Sequence, residues 1–468
     1  MTDKIISADL ITSGMEAVTL NSGDTVEVLT GVTVSASSGF AGIFSTASNV
    51  TASVDGTVFG SNGIFFTSGS SGDTVRVGTQ GAVIGMDNGI DIAGAATVTN
   101  SGEISSVQAD AISMGANSQL LNNGTIDGDT VALVGNGGTS IVNNGTMSAE
   151  SNNAILESSG NNTLVNHGTI DSNSASHYGV DFLSSGNSVT NTGTISGGTT
   201  GVYFNTGGGT NILDNSGTIS GVFAVDMGTG GGTIANDGHL DGAVNLGVGT
   251  HLTNTGTIDG NISGAGTVFN DGTIEGSLTF DAASTYNGTL GSITGAVNGS
   301  SGADKLVAGA DGETLIGNDG NDVLKAGSGD DTLNGGAGRD KLIAGTGDDT
   351  FVFQHVDESR GAHYDTIVGF DAFHDTIDAG VPVDAVKGAF SGALDSGAGF
   401  TSELSAILTP ANLPAHDAAL VVGSTGTLAG HSFLVIDANG VAGYQASGDY
   451  VIQLFHAVNQ SLTPGNFG

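Results

Sequence analysis

From Gly299 to Val352 an acidic residue returns every nine positions: Asp304, Glu313, Asp322, Asp331, Asp340 and Asp349. Each stands sixth in a nine-residue unit, and each is followed two places later by Leu or Phe. The units read GSSGADKLV, AGADGETLI, GNDGNDVLK, AGSGDDTLN, GGAGRDKLI and AGTGDDTFV, with no gap between them. Carboxylates on a fixed beat among glycines suit the binding of a hard divalent cation, which takes six to eight oxygens. Glycine lets the chain curl until backbone carbonyls point at one place. The acid adds a charged oxygen, and the apolar eighth residue points inward as the core of a short strand. A solvated acidic linker has no reason to keep a buried-type residue in register through six units.

The run resembles the RTX family nonapeptide, G-G-x-G-x-D-x-U-x, a calcium-binding β-helix repeat. The resemblance implies that two nonapeptides make one coil, so that like turns stack every 18 residues. One stack would use Asp304, Asp322 and Asp340, the other Glu313, Asp331 and Asp349. Calcium ions would sit between successive turns of each stack. The second unit departs from the pattern, with Asp311 in place of glycine and Glu313 in place of Asp. Ala308, Ala326 and Ala344 replace the first glycine of three units. Without calcium the stacked carboxylates repel; with it, binding free energy becomes folding free energy. Extracellular calcium modules bind at ~0.1–1 mM. The family therefore implies a chain that stays unfolded in a low-calcium cytosol and folds outside.

The elements that carry this array are themselves repetitive. A motif of apolar residue, spacer, Asn, variable residue, Gly, Thr and Ile recurs as VTNSGEI, LNNGTI, IVNNGTM, LVNHGTI, VTNTGTI, LDNSGTI, IANDGHL, LTNTGTI and VFNDGTI. Its asparagines are Asn100, Asn122, Asn143, Asn166, Asn191, Asn215, Asn236, Asn254 and Asn270, at steps that shorten from 25 to 16 residues. Short β-runs at such a period suggest one solenoid coil per repeat. Alternation sends Ile inward and Thr outward. The glycine is expected to supply a turn with positive φ, and the asparagines to form a hydrogen-bonded ladder. The pattern resembles the right-handed β-helices of bacterial surface proteins and autotransporter passengers. The expected fold is all-β: residues 1–40 as an N-terminal cap or first coils, 41–298 as a right-handed parallel β-helix, 299–352 as an RTX calcium β-roll, and 353–468 as a β-rich capping and type I secretion region.

Composition narrows the function. The 468 residues carry 47 acids against 8 bases, a net charge of −39. Such a field repels nucleic acid and anionic membranes and favours cations as partners. There is no cysteine, so neither disulfides nor thiol chemistry enter. MTDKIISADL does not read as a classical signal peptide, and no apolar run approaches the ~18 residues of a membrane helix. RTX proteins leave by type I secretion with an uncleaved C-terminal signal, and the tail resembles such regions. Asp437, Asn439 and Asp449 in DANGVAGYQASGD read as an Asn-Gly turn between strands in preference to a cation loop. His355, His363 and His374 are too loosely spaced for a transition-metal site.

No HExxH, GxSxG or Gly-Lys dipeptide occurs, which removes the zinc-protease, lipase and P-loop readings. A polyuronate lyase or epimerase needs cationic groups or a metal against the substrate carboxylate. Arg76 is the sole Lys or Arg between residues 5 and 304. An ice-binding face would need a second threonine row beside Thr125, Thr146, Thr169, Thr194 and Thr218; that row holds Asp127, Ser148, Asp171, Ser196 and Ser220. The sequence reading is a secreted, calcium-binding, non-enzymatic structural protein of the cell surface or extracellular matrix. Its expected partners are calcium, further copies through the solenoid ends as oligomer or filament, and cell-surface glycan. A β-helix polysaccharide lyase or epimerase, or a glycan-binding protein, is the alternative; an ice-binding protein ranks behind it.

Overall fold

The computed structural model describes residues 2–67, 71–205, 210–457 and 461–468. The chain divides into two units, Met1–Leu252 with Gly256–Gly260, and Thr253–Thr255 with Asn261–Gly468. Both are built from parallel β-solenoid coils. No helix among the described residues is long and apolar enough to cross a membrane.

In the first unit the register begins at Asp3–Ile6, which pairs in parallel with Thr25–Val28. A representative coil runs through three short strands, Ala96–Asn100, Glu103–Ser106 and Ile112–Met114. Each pairs with its counterpart one coil on: Val98 with Leu120, Ile104 with Ile126, Ile112 with Leu133. The period-2 alternation of a strand then fixes the core. Ile126, Met147, Ile170, Ile195 and Ile219 stack in register and are fully buried, while Thr125, Thr146, Thr169 and Thr194 face solvent. Burying such an aliphatic side chain is worth ~1.5–3 kcal/mol. A single coil cannot enclose it, so the stability lies between coils.

The expected asparagine ladder is present. From Asn100 to Asn236 each Asn Nδ2 shown donates to the next Asn Oδ1 at 2.8 Å. The same amides also reach carbonyls: Asn122 Nδ2 donates to Gly124 O at 3.2 Å and to Thr146 O at 3.1 Å. The glycine of the motif differs from expectation. Gly102, Gly124, Gly145 and Gly168 do not have positive φ. They are required because a Cβ on Gly124 would strike the carbonyl of Gly102 one coil earlier, and so on along the row.

A second amide column precedes the first strand of later coils. Asn162 N donates to Asn187 Oδ1 at 3.1 Å, and Asn187 N to Asn211 Oδ1 at 3.0 Å. Their own amides turn back to loop carbonyls, Asn162 Nδ2 to Ser159 O and Asn187 Nδ2 to Ser184 O, both at 2.5 Å.

In the second unit the nonapeptides form strands Lys305–Val307, Thr314–Ile316, Val323–Lys325, Thr332–Asn334, Lys341–Ile343 and Thr350–Val352. Leu306, Leu324 and Leu342 stack in one column and Leu315, Leu333 and Phe351 in the other, all fully buried. Strand Asp365–Val368 pairs with Lys341–Ile343, and Thr376–Asp378 with Thr350–Val352, so both columns run past the last nonapeptide. A mixed sheet follows. Asp365–Val368 pairs with Asp449–Phe455, which is antiparallel to Ser432–Asp437, itself antiparallel to Ala418–Thr425. Helix Phe400–Ile407 covers one face. There Phe400, Phe433 and Tyr364 pack with ring centroids 5.1–5.3 Å apart.

Candidate metal centre

Each sixth-position acid stands directly before a nonapeptide strand, where alternation turns its side chain toward the inside of the turn. Asp304, Glu313, Asp322, Asp331, Asp340 and Asp349 are all 1–3% exposed, which makes them buried charges that must find partners. Two columns result. Asp304 N donates to Asp322 Oδ1 at 2.7 Å, and Asp322 N to Asp340 Oδ1 at 2.8 Å. In the other, Glu313 N donates to Asp331 Oδ1 at 2.8 Å and Asp331 N to Asp349 Oδ1 at 3.1 Å. Four of the acids take a further backbone N–H from four residues earlier in their own turn: Ser300 to Asp304, Gly309 to Glu313, Gly327 to Asp331 and Gly345 to Asp349, at 2.6–2.9 Å.

The account of donors does not close. Asp322 Oδ2, Asp340 Oδ2 and Glu313 Oε1 are buried and receive no hydrogen bond. No ladder carboxylate is ion-paired with Lys or Arg among the described residues. Burial pushes Glu313 and Asp322 up to about 7 and Asp340 up to about 6. Backbone donors oppose the shift, and the neighbouring rungs Asp304 and Asp340 raise Asp322 further. Asp331 is raised for the same first cause. Glycine brings the backbone against these oxygens: a Cβ on Gly335 would lie 2.5 Å from Asp340 Oδ2, and one on Gly299 2.9 Å from Asp304 Oδ2. Acceptor-only side chains, unpartnered buried oxygens and stacked loops fit a hard cation. Among the described residues no three His, Asp or Glu side chains converge on one point. Side chains alone therefore do not complete a coordination shell here.

The ladders extend beyond the sequence expectation. Asp340 N donates to Asp365 Oδ1 at 2.7 Å and Asp349 N to Asp375 Oδ1 at 3.2 Å. Burial pushes Asp365 up to about 9 and Asp375 up to about 6. The signal was available in DTIV and DTID, which echo DTLN and DTFV. Spacings of 25 and 26 residues in place of 18 concealed it. Asp437 and Asp449 face each other across the C-terminal hairpin. Asp437 Oδ1 accepts Gly440 N at 2.9 Å and Asp449 Oδ1 accepts Asn439 Nδ2 at 3.1 Å, as in a hydrogen-bonded turn. Of the three array-flanking histidines, His374 lies 3.3 Å from Asp371 and His363 is bridged to Arg360.

Residues 297–324 and 316–351 match the family model of the RTX calcium-binding nonapeptide repeat. This array is an RTX calcium-binding array. The chain thus carries RTX nonapeptide repeats, which bind Ca2+, within a β-solenoid fold. Among solved structures it is similar to the AlgE6R3 subunit of the mannuronan C5-epimerase from Azotobacter vinelandii. The identity is 29% over 37% of this chain and 83% of that one, with a TM-score of 0.25. No curated protein matches the chain.

Proposed function

We propose that this protein is secreted and serves as an extracellular structural element, of a surface layer, matrix, adhesin or filament, whose RTX array folds on meeting external calcium. The observation that carries the reading is the pair of buried carboxylate columns with unpartnered oxygens. Asp304, Asp322 and Asp340 would hold calcium between turns of one column, and Glu313, Asp331 and Asp349 between turns of the other. Bound calcium supplies positive charge and draws in loop carbonyls as further ligands. The backbone N–H groups already on each carboxylate fix its orientation toward the next rung. RTX repeats are typical of secreted proteins, and the calcium level outside cells matches the affinity expected of such modules, ~0.1–1 mM.

Strand Asp3–Ile6 of the first coil pairs with Thr25–Val28, and the other edge of such an end strand accepts further strands, so end-to-end assembly is part of the proposal. Negative-stain electron microscopy with millimolar calcium and with chelator tests it. Ordered filaments or sheets in calcium alone support assembly; monodisperse particles in both buffers refute it.

One observation favours glycan contact as a second reading. Tyr178 and Tyr203 pack with tilted rings, their centroids 4.9 Å apart, and Tyr203 stands in register between Asp181 and Asp226. Asp181 is pushed up to about 6 by burial, accepts Asn153 Nδ2 at 3.0 Å and keeps Oδ1 without a donor. Aromatic faces beside amide and acid groups suit a sugar ring. Loss of binding to a neutral glycan on Tyr203→Ala supports this reading, and unchanged binding removes it.

A further inference from the structure

Asp365 lies outside the nonapeptides, 25 residues after Asp340. It nevertheless repeats their geometry. It stands at the start of a short strand, is fully buried, and accepts Asp340 N on Oδ1 at 2.7 Å, as Asp322 accepts Asp304 N. Its Oδ2 and that of Asp340 both lack a donor. The cationic side chain nearby is Arg339, which lies over the Tyr364 ring at 5.3 Å and makes no ion pair with Asp365. Asp375, the matching extra rung of the other column, differs. Its two oxygens accept Asp349 N and Asp371 N at 3.2 and 2.7 Å.

Packing does not demand an acid at this place. In the first unit the position before a coil strand holds Asn162 and Asn187, whose Nδ2 groups close the turn onto Ser159 O and Ser184 O. At Asp340 and Asp365 the acid leaves a buried oxygen where the amide would donate, and a bound cation would supply what the donor does not.

Asp365 is also tied to the C-terminal sheet. Its N–H donates to Ser359 Oγ at 2.9 Å, the Ser359 hydroxyl donates to Val451 O at 2.7 Å, and Val451 N donates to Ser359 O at 3.0 Å. Asp365 pairs with Ile452 in the strand Asp449–Phe455.

We propose that Asp340 and Asp365, with backbone carbonyls, form a further calcium site beyond the nonapeptide array, and that this site makes the C-terminal sheet depend on calcium. The inference rests on the reading of the array as a calcium ladder.

The test compares the full-length protein with Asp365→Asn and Asp322→Asn. It measures calcium stoichiometry by titration against a chelating indicator, and hydrogen exchange over Ser432–Asp437 and Asp449–Phe455. In the wild type these strands should exchange at least about tenfold faster in chelator than in calcium. Asp365→Asn should bind one ion fewer and keep the strands protected in chelator. Asp322→Asn should lose calcium without protecting them. Wild-type stoichiometry in Asp365→Asn alone overturns the extra site and leaves the array reading intact. Absence of calcium binding by the wild type overturns both. Equal exchange of the two strands in calcium and chelator overturns the coupling. Should Asp365→Asn fail to fold, Asp365→Ser decides by the same counts: one ion fewer supports the site, and wild-type stoichiometry overturns it.

Discussion

The asparagine ladder of residues 100–236 and the carboxylate ladders of residues 304–349 meet one structural demand in opposite ways. Within these two stretches each coil buries a polar side chain inside its turn and stacks it on the next. Asparagine is donor and acceptor at once, so Asn122 receives from Asn100, gives to Asn143 and reaches two carbonyls besides. That ladder closes on itself. Aspartate only accepts. The rungs Asp322 and Asp340 each take a backbone N–H group and still leave a buried oxygen without a partner. On the proposed function, the exchange of one nitrogen for one oxygen per rung makes folding of the array conditional on calcium. The second amide column makes the contrast sharper. Asn162 and Asn187 accept the same kind of backbone N–H as the acids do and complete the turn with their amides.

Calcium removal should part the two regions most widely. Chelator is expected to unfold the array while the asparagine coils persist. Four of the eight Lys and Arg residues, Lys305, Lys325, Arg339 and Lys341, lie in the array, and only Lys4 and Arg76 lie in the asparagine unit, so limited trypsin digestion at these four sites reads the array. Rapid cleavage there in chelator, suppressed at least about tenfold by millimolar calcium, is the expected result.

A charge placed in the neutral ladder should break it. Asn166 Nδ2 serves Asn191 Oδ1, Gly168 O and Thr194 O. Asn166→Asp sets a carboxylate against three acceptors and should cost ~3–5 kcal/mol by denaturant unfolding. Calcium should not restore the loss unless Asn143 or Asn191 is also changed to Asp.

Proton dependence separates the regions by a smaller amount. Glu157 is buried in the first unit, in register between Gly135 and Phe182, and burial pushes it up to about 7. Its protonated form is favoured by folding. The stabilisation is therefore complete below the unfolded value near 4.5 and is lost as pH rises through about 7, a change of ~3 kcal/mol. Glu157→Gln should flatten that slope. In chelator the raised values of Glu313, Asp322 and Asp340 act with the same sign, favouring the folded array near pH 4 and opposing it as pH rises to about 7, where chelator leaves it unfolded. In calcium the slope of the array should reverse, because protons then compete with the ion. At the small end, Thr169→Ala on the exposed row should change stability by no more than ~0.5 kcal/mol.

Much of this contrast was legible in the sequence because both ladders are periodic. The NxGTI asparagines and the sixth-position acids each mark a fixed place in a coil, and the inward isoleucines follow by alternation. What escaped reading was whatever broke the period or had no period. Asp365 and Asp375 follow long insertions. The second amide column is interrupted by Ser118 and Thr139, so Asn162, Asn187 and Asn211 did not stand out. The turn glycines were identified for a conformational reason, whereas they are required by close stacking between coils. Helix Phe400–Ile407 is too short to be stable alone. It forms because Phe400 and Leu404 bury against the C-terminal sheet.

The central claim is that the amide ladder is self-sufficient and the carboxylate ladder is not. Hydrogen exchange of the full chain, with millimolar calcium and with chelator, tests it most directly. Residues 96–166 should stay protected in both buffers, and residues 304–352 only in calcium. Equal protection of the array in chelator would contradict the account, as would loss of both regions together.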